Sequence, residues 1–196
     1  EVNHHCDRCS FSLKAEKTIC MNPEGSPGGI LFVAEHPGRD EDRLGRPLIG
    51  KSGRYFRLVL KQFYDGPIAL TNAIACSPGQ EMKLVRASVL KHVDACRPYL
   101  AATVEEVQPT RVVALGVWAA YSILGRAVPI QSCRRGYGFL SDGTPVFLLV
   151  NPAAALRNRF VRQAFEEDLK WAVTCPIPKR HELRGVVRLI ESREDA

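Results

Sequence analysis

Four short strand-like segments, largely apolar, constrain the fold of this 196-residue chain more than any other feature. They occupy residues 29–34, 68–73, 111–115 and 145–150, and Gly, Pro or Asn punctuates them. Runs of that length and composition read as strands buried on both faces. Helical periodicity fills the spaces between them. Tyr55, Leu58, Val59 and Phe63 share a stripe that Asp65-Gly66-Pro67 ends. Residues 85–107 carry Val89, Val93, Leu100, Val104 and Val107 on one face, with Pro98 expected to kink this helix or start a new one. Residues 117–124 and 161–172 complete the helical set, and no glycine follows the last helix to mark its end. Strands alternating with helices imply parallel pairing through right-handed crossovers. The predicted fold is a three-layer α/β/α sandwich around a central four-stranded, mainly parallel sheet. It spans residues 1–175, with a charged tail over 176–196. Sites in such sheets lie at the carboxyl ends of the strands, which directs attention to the loops after Ala34, Asn72 and Val150.

The net charge of +6, from 27 basic and 21 acidic residues, favours an anionic partner, and nucleic acid is the commonest. No apolar run approaches the roughly 18–20 residues of a membrane span. The first ten residues are polar and unlike a secretory signal, so a cytoplasmic protein is expected. In that compartment seven cysteines, an odd number, do not suggest a disulfide framework. Cys6 and Cys9 form a C-x2-C pair, a spacing that lets two thiolates reach one metal. Cys76 follows the second strand and Cys96 lies in the next helix, so together they can supply two further ligands. Cys20, Cys133 and Cys175 are then left over. Spacing alone leaves two readings open. One is a four-cysteine centre; the other is zinc on Cys6 and Cys9 with His4 or His5, while Cys76 and Cys96 are simply buried.

The loop after the first strand begins Ala34-Glu35-His36-Pro37-Gly38. A carboxylate at a strand's carboxyl end, beside a tight turn, is where an α/β active site places one. Asp40-Glu41-Asp42 reads as a solvated acidic loop. Gly45 to Ser52 fits the phosphate-loop pattern G-x4-G-K-[ST]. Its context does not, because such a loop leaves a strand directly and this strand ends at Ala34. Pro47, Leu48 and Ile49 are also poor material for wrapping a phosphate.

These residues together resemble the uracil-DNA glycosylase superfamily, in its iron–sulfur family-four branch, from Cys6 to about Val173. The resemblance rests on the order Cys6, Cys9, Cys76, Cys96 and on the Glu35–Gly38 turn with Glu41-Asp42, Gly45-Arg46-Pro47, Gly50 and Gly53. It extends to Thr71-Asn72, to Val113–Gly116 with Arg135-Gly136, and to Asn151-Pro152-Ala153 with Leu156-Arg157. It implies a [4Fe–4S] cluster of structural role on the four cysteines, with zinc as the alternative, and a monomer acting on DNA. It also implies that a base is flipped out and its N-glycosidic bond hydrolysed. Glu35 then takes the carboxylate role and Asn72 reads the base edge, since an amide offers both a donor and an acceptor. Asn151 donates to a base carbonyl. Leu156, the only bulky apolar group of its loop, is the wedge, and Lys51 and Arg157 meet phosphate.

The chain departs from the family pattern at four positions. Leu48 replaces a stacking phenylalanine, Asn151 a histidine and Ala153 a serine, while His36 occupies a normally small position beside the base. Loss of the ring is expected to leave room for a bulkier base. Two alternatives follow: a glycosylase for a bulky modified cytosine in phage DNA, serving antiviral defence, and a DNA-binding member without turnover.

Overall fold

The computed structural model describes residues 6–11, 24–78, 86–130 and 134–177, the side chains of 86–88 excepted. His4, His5, Cys20, Cys133 and the tail from residue 178 lie outside the described residues. In chain order the elements are β1 (Glu24–Gly25), β2 (Ile30–Ala34), α1 (Arg39–Leu44), α2 (Lys51–Leu60), β3 (Ile68–Asn72), α3 (Arg86–Val107), β4 (Arg111–Leu115), α4 (Val117–Leu124), β5 (Tyr137–Phe139), β6 (Pro145–Leu149), α5 (Pro152–Arg157) and α6 (Arg159–Thr174).

The sheet runs β1-β3-β2-β4-β6-β5. Its four central strands are parallel, while β1 and β5 pair antiparallel at the two edges. The four predicted strands are this parallel centre, and the count is corrected to six. The added strands span two and three residues, too short to leave an alternating pattern. Every residue of β2, β4 and β6 is buried, which is why these strands read as unbroken apolar runs. Alternation along them sorts two cores. Phe32, Val113 and Phe147 pack with Phe56, Phe165 and Leu169 of α2 and α6. Leu31, Val112 and Leu148 pack with Leu100, Ala119 and Ala120 of α3 and α4. Each large side chain buried in this way contributes roughly 1.5–3 kcal/mol.

Two helices depart from expectation. Helix α3 continues through Pro98 as one 22-residue element. Pro98 is exposed, and Val93 before it and Leu100 after it are both anchored in cores, so the missing N–H does not divide the helix. Helix α6 ends without glycine because Arg111 caps it. The buried guanidinium at the start of β4 donates to the carbonyls of Ala172 at 2.6 Å and Cys175 at 3.2 Å. Pro176 then follows the extended Cys175.

From β2 the chain passes to β3 on one side, then crosses to β4 on the other. The strand order therefore reverses at β2, and the crevice between the carboxyl ends of β2 and β4 is the topological switch point.

Candidate active site

Glu35 stands at that switch point, half-buried, directly after β2. Both of its carboxylate oxygens are held. The backbone N–H of Trp118, in the first turn of α4, donates to Oε1 at 3.0 Å. The side-chain amide of Asn151 donates through Nδ2 to Oε2 at 2.5 Å. The approach of α4 depends on Gly116, which caps that helix at φ +119°. A Cβ there would stand 2.5 Å from Glu35 Cδ. Asn151 is anchored in turn, because its Oδ1 accepts from the Ala153 N–H at 2.8 Å and so caps α5, whose first residue is Pro152. One N–H of its amide thus meets the Glu35 carboxylate, a contact the sequence pattern does not announce.

The β2–β3 ladder carries Asn72 to the same edge. Asn72 pairs with Ala34, and the next two N–H groups, of Ala73 and Ile74, donate to the carbonyls of Ala34 and Glu35 at 2.7 and 3.0 Å. Asn72 is buried and shares by alternation the sheet face of Leu70, whose core also contains Ala34 and Leu48. His36, half-buried beside Glu35, donates from Nδ1 to the Pro37 carbonyl at 2.9 Å.

The loop before α2 is braced by a residue that the sequence reading assigned to solvent. Residues 39–44 are a helix, and Glu41 and Asp42 are buried in it. The Glu41 carboxylate accepts from the N–H groups of Gly38 at 3.1 Å, Ile49 at 3.1 Å and Gly50 at 2.7 Å. From the other side Arg57 donates to the carbonyls of Leu48 at 2.9 Å and Pro47 at 3.0 Å. Arg57 and Arg46 both bond Glu24 of β1. Burial pushes the Glu24 carboxyl upward, but hydrogen bonds from these two arginines outweigh it and leave the group below its usual range. The clamp holds Leu48 at φ +54°, a conformation uncommon outside glycine. Leu48 is only 6% exposed and packs in the core with Phe56 and Ala155. The expected room for a bulkier base is therefore not found at this position.

The phosphate-loop lookalike dissolves in the same segment. Gly45 is the left-handed cap that ends α1, and Gly50 is the cap that starts α2. Neither follows a strand. Lys51 is exposed at the first residue of α2, while half-buried Leu156 and exposed Arg157 close α5. Glu35 and Asn151 thus touch, Asn72 and His36 adjoin them, and Leu48 lies in the neighbouring core. Lys51 and Arg157 present charge at helix ends. Sequence reasoning overlooked Trp118 and gave Gly116 and Glu41, although they lie in the quoted motifs, no role of their own. A glycine after the third strand is a visible signal, but a backbone N–H leaves none at all.

The cysteines gather at another corner. Cys9, Cys76 and Cys96 belong to one cluster with Phe11, Ile74 and Val93. Tyr99, one turn beyond Cys96, donates its hydroxyl to Cys6 Sγ at 3.6 Å. The donor set is all sulfur in an apolar surround, which suits a soft metal centre. Among the described residues, no three His, Cys, Asp or Glu side chains form a closed ligand set. No described helix is long and apolar enough to cross a membrane.

A family model described as the uracil DNA glycosylase superfamily matches residues 24–172. The type-4 uracil-DNA glycosylase of Pyrobaculum aerophilum is 30% identical over 178 residues, covering 86% of this chain and 88% of its own. That of Sulfurisphaera tokodaii is also 30% identical, over 90% of this chain and 83% of its own. The Thermotoga maritima protein of the same name is 30% identical over 85% of this chain and 87% of its own. With matches spanning most of both chains on an α/β fold of the expected kind, the chain belongs to the uracil DNA glycosylase superfamily, in its type-4 branch.

Proposed function

We propose that the protein is a monofunctional DNA glycosylase that flips uracil out of DNA and hydrolyses its N-glycosidic bond, leaving an abasic site. The observation that carries the reading is a carboxylate at the switch point with both oxygens held by N–H donors. Breaking the bond sends its electron pair to the base and leaves positive charge on the sugar; water then bonds to C1′ and loses a proton, and the departing base anion takes up a proton in its place. Glu35, fixed before substrate arrives, stabilises that sugar charge and orients the water. Asn72, buried at the end of β3, reads the base edge with its amide. His36 borders the base, while Lys51 and Arg157 meet phosphate and Leu156 supports the unstacked duplex.

Cys6, Cys9, Cys76 and Cys96 would hold a [4Fe–4S] cluster, whose contribution when bound is to fasten residues 6–11 to α3. Their own environment supports this, being all-thiol and apolar. The modified-cytosine reading relied on space at position 48, which Leu48 itself fills. The non-catalytic reading relied on loss of the loop histidine and serine, at Asn151 and Ala153; against it, the Asn151 amide contacts the carboxylate.

Single-turnover base release from oligonucleotides containing uracil, hypoxanthine or glucosylated hydroxymethylcytosine tests this function. Uracil is expected to be released, and Glu35→Ala to slow release by roughly 10²–10³-fold while DNA binding persists. Release of only the modified cytosine, or an unchanged rate in Glu35→Ala, would overturn it.

A further inference from the structure

We propose that Phe160 is a stacking platform for a base flanking the extruded nucleotide, a role that rests on the glycosylase reading above. Sequence pattern pointed to Leu156 as the apolar group presented to the DNA stack, but that side chain is half-buried in α5. Four residues later Phe160, in the first turn of α6, is 69% exposed, the most exposed large apolar residue described. An aromatic ring left in water nine residues after Asn151 calls for a partner with a flat apolar face.

The surroundings identify that partner by charge. Between Asn151 and Phe165 the chain carries Arg157, Arg159 and Arg162 and no acidic residue. None of the three makes a salt bridge among the described residues. The Arg159 guanidinium lies over the Phe160 ring, 4.8 Å from its centroid. An arginine paired with an exposed ring is the combination that proteins use for unstacked nucleic acid: the cation meets the backbone and the ring meets a base.

The position is tied to the reaction centre. Helix α5 starts at Asn151, whose amide bonds Glu35, and ends at the turn that begins α6. Six helical residues span about 9 Å, or two to three base steps at about 3.4 Å each. The ring therefore falls within a few nucleotides of the base held at Glu35. Asn158 fixes the turn, its Oδ1 accepting from the N–H groups of Phe160 and Val161 at 2.9 and 3.4 Å. The backbone that carries the ring is consequently set before DNA arrives.

The test uses oligonucleotides with 2-aminopurine two or three positions to either side of a uracil nucleotide that carries a 2′-fluorine to resist cleavage. Binding of the wild-type protein is expected to quench the fluorophore at one of these positions. Phe160→Ala is expected to abolish the quenching and weaken binding roughly 5- to 150-fold, whereas Phe160→Trp retains both. Arg159→Ala, as a control, should lower the salt dependence of binding by about one ion and keep the quenching. If Phe160→Ala binds and quenches like wild type while wild type releases uracil, this proposal falls alone. It also falls if the ring instead serves self-association, seen as a wild-type dimer in sedimentation that Phe160→Ala dissociates. A wild-type protein that neither binds nor cleaves uracil DNA would overturn the glycosylase reading and this role together.

Discussion

Around Glu35 the polypeptide fixes one polar group with others of its own, a backbone N–H from α4 and an amide that is itself a helix cap. Around Cys76 and Cys96 it surrounds sulfur with apolar side chains. The remote segment 6–11 reaches that corner by burying Phe11 and stacking it on His92, 3.6 Å between ring centroids. The first arrangement is complete in the chain itself. The second gathers four thiols from three separate stretches of chain into an apolar corner. A catalytic centre must be preorganised in the resting protein, because reorganisation during the reaction would cost rate. A structural centre has no such demand, and its ligand can finish the folding.

The contrast is sharpest where a ligand should matter. Replacing Cys96 by Ala is expected to have the largest effect on stability, a loss of several kcal/mol, with iron and sulfide content falling together. Thermal unfolding and metal analysis read both, and an iron content equal to wild type would break the distinction between the two corners. A smaller effect is expected from Gly116→Ala. The added Cβ would meet Glu35 at 2.5 Å on a backbone at φ +119°, a strain of about 1–3 kcal/mol. Uracil release should slow at least as much as stability falls. Full activity in this variant would mean that the position of Glu35 is not set by α4. Least costly to the fold is Asn151→Ala, which removes a helix cap worth about 1 kcal/mol together with the donor to Glu35. Asn151→Asp separates the two contributions. It keeps the cap but sets one carboxylate against another, so single-turnover rates should fall at least as far as in Asn151→Ala.

The same contrast explains what the sequence disclosed. Strands β2, β3, β4 and β6 were legible because burial on both faces demands continuous apolar residues, and Glu35 because a carboxylate after such a run is out of place. Helix α1 was hidden because Glu41 and Asp42 are buried for hydrogen bonding, and so look like surface. Helix α5 was short enough to pass for a loop, although Asn151-Pro152 is a helix start signal. Leu48 looked like an opened pocket, since composition records the lost ring and not the left-handed backbone that turns the side chain into the core. Leu156 drew attention by its residue type alone, whereas the exposure of Phe160 has no signature in the sequence.

The two donors to Glu35 lie 83 and 116 residues further along the chain. During synthesis, therefore, the carboxylate emerges early and remains without its partners until β6 and the start of α5 have been made and docked. A nascent chain long enough to contain Glu35, His36 and Asn72 still lacks the assembled centre. With the role proposed for Glu35, bond-breaking competence arrives late in chain completion, and fragments ending before Asn151 are expected to be inert toward DNA bases however well their strands pair.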